Sequence, residues 1–358
     1  MKPLARIVTD DKAEKPAKVS SFEVRAAPEI ERLREEIGAI EAGTDPVLVG
    51  PFTGEVGFEL LYWIPLLRWA VREFPGLRGR LVVVSRGGTQ WWHSGLDARY
   101  VDLFDVSSVD DLVERRESLK QREITAYEEE LLARVSSALG IEHALVLHVS
   151  LLFNMYYRIR KIDQHGFARS VRHADSAVEG LAAVFEPMPQ PPLGPLEGLL
   201  PDEYVAVRFY FRPSFPESPE SRDFAAATIE AITRKLPVVL LNNSLELDDH
   251  ADFAVAGEGR VVTIDHLMRP EDNLHLQTIA ISRASAFVGT YGGLAYLAPF
   301  LGVPSLSFSS HPEHTHPWHL ELAQNVCRAP GFGSIVSLRP HDLRLIELVG
   351  LPAADPSR

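Results

Sequence analysis

Six prolines fall within the sixteen residues Glu186–Pro201 (EPMPQPPLGPLEGLLP), a density that excludes both a helix and a central strand. A run of this kind is a stiff connector. It cuts the 358-residue chain into two parts, each of ordinary domain size. The expected organisation is a peripheral N-terminal segment over 1–44, a first domain over 45–185, the connector over 186–201, and a second domain over 202–358. With 46% hydrophobic and 24% charged residues, the chain has enough apolar content for two packed cores and is not a disordered polymer.

Both parts alternate short apolar strands with helices. In the first, Pro46–Gly50 runs into Gly50-Pro-Phe-Thr-Gly54, followed by an apolar helix over 56–74 and a strand at Leu81–Ser85. Residues 108–140 read as helical and Ala144–Val149 as a further strand. In the second, strands are expected at Tyr204–Phe209, Val238–Leu241, Arg260–Ile264, Ala286–Val288 and Ser305–Phe308, with helices at Asp223–Lys235, Asp272–Arg283 and Leu294–Leu301 between them. Strand–helix alternation at these lengths builds a parallel sheet covered on both faces. The fold class is therefore α/β: two Rossmann-like doubly wound domains facing a central cleft. In such sheets ligands bind beyond the carboxyl ends of the strands.

Charge narrows the partners. Thirty-six Lys and Arg against forty-nine Asp and Glu leave a net charge of −13, which argues against nucleic acid and anionic membrane surfaces as partners. The single Cys327 excludes an internal disulfide and a cysteine-based zinc cluster. No apolar run reaches the ~18 residues of a membrane span. The first twenty residues carry no apolar stretch like that of a secretory leader, so the expected location is cytoplasmic, without stable membrane insertion.

Four constellations sit at strand ends. The first is Gly54-Glu55-Val56, where Glu55 opens a helix and is either a general base at the cleft mouth or an acid complementing the helix dipole. Glu59, one turn on, is expected to pair with a basic group. The second is Arg208-Phe-Tyr-Phe-Arg212, two forked cations that either hold a diphosphate or form a salt bridge across the cleft. The third is Gly289-Thr290-Tyr291-Gly292-Gly293 followed by a helix, an anion site or a plain tight turn. It is neither GxGxxG nor a P-loop, since no Lys follows the glycines. The fourth is the run 311–319 (HPEHTHPWH), whose prolines prevent the helix that would align metal ligands; its imidazoles, His311 first, are expected to line the cleft. Asn242, at the end of its strand, joins the expected donor site. Arg86, Trp91 and Trp92 follow the second strand and offer a cation and flat rings for an acceptor sugar, although paired tryptophans also serve as core anchors. The stretch Leu151–Lys161 (LLFNMYYRIRK) reads as ordinary packing in preference to a lipid contact.

Residues 281–308 (ISRASAFVGTYGGLAYLAPFLGVPSLSF) resemble the C-terminal-domain signature of GT-B glycosyltransferases. The likeness is nearest to the ADP-heptose heptosyltransferases and more distant to the GDP-fucose fucosyltransferases. Gly54-Glu55-Val56 leading to Pro65-Leu66-Leu67-Arg68 is similar to the heptosyltransferase Gly-Asp-(Val/Ile) turn with its downstream Pro-Ala-Leu. By this resemblance Glu55 is the general base, where the family has Asp, and Arg208 or Arg212 matches the Arg with which the fucosyltransferases hold the donor diphosphate. Tyr291-Gly292-Gly293 and Tyr296 stand where the heptosyltransferases carry Asp-Ser-Gly and His.

The resemblance implies inverting transfer of a sugar from a nucleotide-diphosphate sugar to a hydroxyl of a glycan or small molecule. No cofactor and no metal is expected, because arginines and backbone dipoles meet the leaving charge and the chain has no Asp-x-Asp pair. Two other readings use the same fold: a non-hydrolysing nucleotide-sugar epimerase and a non-catalytic nucleotide-sugar-binding protein.

Overall fold

The computed structural model describes residues 21–117, 121–162, 185–243, 251–253, 259–315 and 317–342. The expectations for residues 1–20, and those touching His316, lie outside the described residues.

Two parallel sheets form the frame. The first joins β1 (Val47–Val49), β2 (Leu81–Ser85), β3 (Arg99–Asp102) and β4 (Leu145–Leu147) in the order β3-β2-β1-β4. The strands β1 and β2 are buried along their whole length, as apolar runs covered on both faces must be. The second sheet is larger. Numbering onward, β5 is Val205–Arg208, β7 Val238–Leu240, β9 Val261–Thr263, β10 Ala286–Thr290, β11 Ser305–Phe308 and β12 Ile335–Leu338. Their order is β12-β11-β10-β5-β7-β9, all parallel, while β6 (Tyr210–Phe211) and β8 (Ala251–Asp252) form a small antiparallel pair beside them. Renumbered from β5, this is the 3-2-1-4-5-6 order of a doubly wound sheet.

Among the helices, α1 (Ser21–Glu41) was expected at the periphery. Instead Ile30, Leu33 and Ile37 are buried in the core, and Glu29 pairs with Arg158 of the helix Ser150–Ile162, so the segment is part of the fold. The helical run α2 over 56–73 is continuous but contains a five-residue π segment, Glu59–Trp63. All five of those residues are buried. The expected helix over 108–140 is two helices, Val109–Arg115 and Ala126–Leu139, the second opened by a capping box between Thr125 and Glu128.

One apolar core runs beneath both sheets. Leu60, Trp63 and Met155 from the first part and Tyr204, Leu276, Ile279 and Leu297 from the second belong to the same buried cluster. The contact is close at α2 and the helix α8 (Gly293–Phe300), where a Cβ on Gly293 would lie 2.6 Å from Val56 Cβ. The connector lies along this junction. The Met188 N–H donates to the Phe300 carbonyl at 2.7 Å, and Gln190 Nε2 donates to the Ser282 carbonyl at 2.8 Å, so it satisfies the orphan carbonyls at two helix ends. No helix among the described residues is long and apolar enough to cross a membrane.

Candidate active site

In a doubly wound sheet the crevice opens where the winding reverses, because the loops on either side leave in opposite directions. In the second sheet that point lies between β5 and β10, which pair from Ala286↔Val205 to Gly289↔Arg208. In the first it lies between β1 and β4. The loop after β1 carries Glu55, the loop after β5 carries Arg212, and the loop after β10 carries Tyr291–Gly293. Both crevices open onto one cavity of about 260 Å³ whose lining includes all of these residues.

Alternation selects the side chains at and beyond the carboxyl end of β5. Arg208, Tyr210 and Arg212 line the cavity, while the intervening Phe209 and Phe211 are buried in a separate aromatic cluster with Phe215 and Phe308. The Arg208 Nε and Nη2 both donate to Oδ1 of Asp252 at 3.1 Å, and the second carboxylate oxygen accepts the Asn243 N–H at 2.7 Å. Arg208 is thereby held by a carboxylate of the small β6–β8 pair beside its own sheet. Arg212 reaches across the cavity instead, with Nη2 4.0 Å from Glu55 Oε2, and its buried Nε has no hydrogen-bond partner. Burial would lower the Arg212 pKa, but Tyr210 and Glu55 more than offset it and hold the guanidinium above its ordinary value.

Glu55 itself sits at the N-cap of α2 with extended backbone, yet makes no side-chain capping bond. Its carboxylate is therefore left to face the cavity. Arg86 lines the same cavity and donates through Nη2 to the Gly54 carbonyl at 2.9 Å, tying the second strand's loop to the Glu55 turn. Glu59 points the other way. It is buried, and Oε1 accepts Ser85 Oγ at 2.6 Å and faces His93 Nε2 at 3.1 Å, anchoring the start and end of the Arg86 loop.

Several expected ligand residues do other work. Thr290 is buried; its Oγ1 donates to the Tyr210 carbonyl and accepts the Tyr210 N–H, so it clamps β6 to β10. Gly289 packs inside the sheet opposite Arg208. Gly54 contributes only its carbonyl, to Arg86. Asn242 donates to the Phe253 carbonyl, and its neighbour Asn243 lines the cavity in its place. His311 bonds with Ser310 and does not line the cavity, whereas His314 and His319 do. Trp92 is structural: it is fully buried and donates Nε1 to Thr278 Oγ1 at 2.9 Å, pinning the two parts together; Trp91 does not line the cavity. Among the described residues, no group of three or more His, Cys, Asp or Glu converges as metal ligands would.

No family model matches the sequence, and no curated protein does. Solved structures do. The chain is similar to the E. coli heptosyltransferase WaaC with ADP (16% identity, 86% of this chain and 100% of that one, TM-score 0.42). It is similar also to E. coli ADP-heptose lps heptosyltransferase II (15%, 86% and 98%, TM-score 0.42). A third is the UDP-GlcNAc 2-epimerase of Methanocaldococcus jannaschii (11%, 87% and 93%, TM-score 0.37). All three are distant.

On the far wall of the cavity His319 comes from the run expected to line the cleft, while Phe58 and Tyr62 were not anticipated from sequence. Phe58, Tyr62, Tyr296 and His319 line it, with Tyr62 Oη 2.5 Å from His319 Nδ1 and Tyr296 hydrogen-bonded to Tyr291. Burial raises the pKa of Tyr62, Tyr210 and Tyr296, so these phenols stay neutral. The turn between the walls has no room for side chains. A Cβ on Gly292 would lie 1.9 Å from Tyr210 Oη and 3.3 Å from Arg212 Nη1. Gly292→Ala is expected to push Tyr210 and Arg212 out of place at a cost of roughly 1–3 kcal/mol. A lowered melting temperature together with weaker anion binding is the expected result; unchanged values for both would show that Tyr210 turns aside freely.

Proposed function

We propose that the protein is a glycosyltransferase that moves a sugar from a nucleotide-diphosphate donor to an acceptor hydroxyl, with inversion and without a metal. The observation that carries this reading is the meeting of two switch points in one cavity, a carboxylate from one facing a guanidinium from the other across 4.0 Å. Glu55 accepts the acceptor's proton as its oxygen attacks the anomeric carbon. The bond from that carbon to the diphosphate breaks, and its electron pair leaves on the phosphate oxygen. Arg212, with its unpartnered buried Nε, Arg208 and the N–H groups opening α8 stabilise the departing charge. A single displacement inverts the anomeric centre.

A second reading, nucleotide-sugar epimerisation, draws on His314 and His319 beside Glu55 in the same cavity. Conversion of the donor sugar without any acceptor is its mark. A protein that only binds nucleotide sugars would give neither product.

The test is thermal melting with UDP, GDP, ADP, CDP and dTDP, each with and without EDTA. One diphosphate at ~100 times its dissociation constant is expected to add ~2.7 kcal/mol of stability, undiminished by EDTA. Absence of any shift would displace the donor site; a shift abolished by EDTA and restored by Mg²⁺ would overturn the metal-free reading.

A further inference from the structure

The two arginines at and beyond the carboxyl end of β5 are not equivalent. Arg208 has a resident counter-ion on its own half, Asp252, which takes both Nε and Nη2. Arg86 is tied to the Gly54 carbonyl. Arg212, unlike Arg208, faces its carboxylate on the opposite half, and the pair is loose: 4.0 Å apart, with side chains 22% and 36% exposed. Its Nη1 lies against the Gly292 turn, so the guanidinium stands between Glu55 and the anion-binding glycines. A diphosphate on those glycines and Glu55 would draw on the same fork. Coulomb attraction to two phosphates exceeds attraction to one partly solvated carboxylate.

We propose that Glu55 and the donor diphosphate compete for Arg212, so that donor binding takes Arg212 from Glu55 and frees the carboxylate to receive the acceptor. This rests on the glycosyl-transfer reading. It favours donor before acceptor. The acceptor hydroxyl uses the carboxylate that Arg212 faces across 4.0 Å, and the donor draws Arg212 away from it. Arg208, fixed by Asp252, serves as the permanent anchor, and Arg212 as the exchangeable one.

The competition has a signature distinct from simple repulsion between two anions. The probe is the nucleoside diphosphate giving the largest melting shift. Its dissociation constant is measured by ligand-observed NMR, readable to millimolar, for the parent, Glu55→Gln, Arg212→Gln and the double variant. Glu55→Gln is expected to tighten binding about three- to tenfold in the parent and to leave it nearly unchanged in the Arg212→Gln background. In an Arg208→Gln background the gain persists. No gain from Glu55→Gln, or an equal gain with and without Arg212, would overturn the proposal while leaving the donor site in place. If no nucleoside diphosphate binds the parent, the glycosyl-transfer reading falls and the competition falls with it. Melting curves confirm that each variant is folded.

Discussion

Glu55→Gln is expected to keep the fold and the nucleotide site and to lose turnover by about 10²–10⁴-fold, the usual contribution of a general base. Glutamine matches the size of glutamate and can still hydrogen-bond, but it does not accept a proton near neutral pH. The competing account, that Glu55 merely favours the start of α2, predicts a loss of ~0.3–1 kcal/mol in stability and a nearly parental rate. The side chain makes no capping bond, so that account rests on attraction between the carboxylate and the helix dipole alone. Turnover number and melting temperature, measured side by side, separate the two. A near-parental rate would move the base to His314 or His319, which share the cavity; Glu59 is not a substitute, because Ser85 and His93 hold it in the interior.

Replacing either arginine by alanine is expected to weaken diphosphate binding about ten- to a hundredfold, the range of one charge-assisted hydrogen bond. The two variants differ in what else they disturb. Arg212→Ala removes a side chain whose carboxylate partner is partly exposed, so the melting temperature stays close to the parent's. Arg208→Ala strands Asp252, whose side chain is only 14% exposed, and melts lower as well. Calorimetric titration and melting of each variant check both points. If both bind the diphosphate as the parent does, the phosphate site lies elsewhere.

The frame was legible because parallel sheets write themselves as apolar runs broken by turns, and because six prolines in sixteen residues interrupt any element. Strand β3 was missed: Arg99–Asp102 begins with an exposed arginine and lacks an apolar run. At the site, Glu55, Arg86, Arg208 and Arg212 were reachable as charged residues at strand ends. Tyr210 was reachable too, since the alternation Arg208-Phe-Tyr-Phe-Arg212 places it on the arginine face. Thr290 and Trp92 show where sequence stops. Their polar atoms are satisfied by Tyr210 and Thr278, 80 and 186 residues distant, and no local pattern tells a ligand contact from such a clamp. His319 fell within the run expected to line the cleft, whereas Asn243 lay one step beyond Asn242 in the same loop.

The core that runs unbroken beneath both sheets bears on how such a chain can diversify. Were each half a closed unit, a new ligand preference could be acquired by exchanging one half at the proline connector. Here exchange of the first half would bring unmatched surfaces against Tyr204, Leu276 and Leu297, and would leave Thr278 without the indole of Trp92. The halves must therefore change together or hardly at all in their buried faces. New specificities have to arise in the loops at the strand ends, where a substitution alters the cavity and leaves the shared interior untouched.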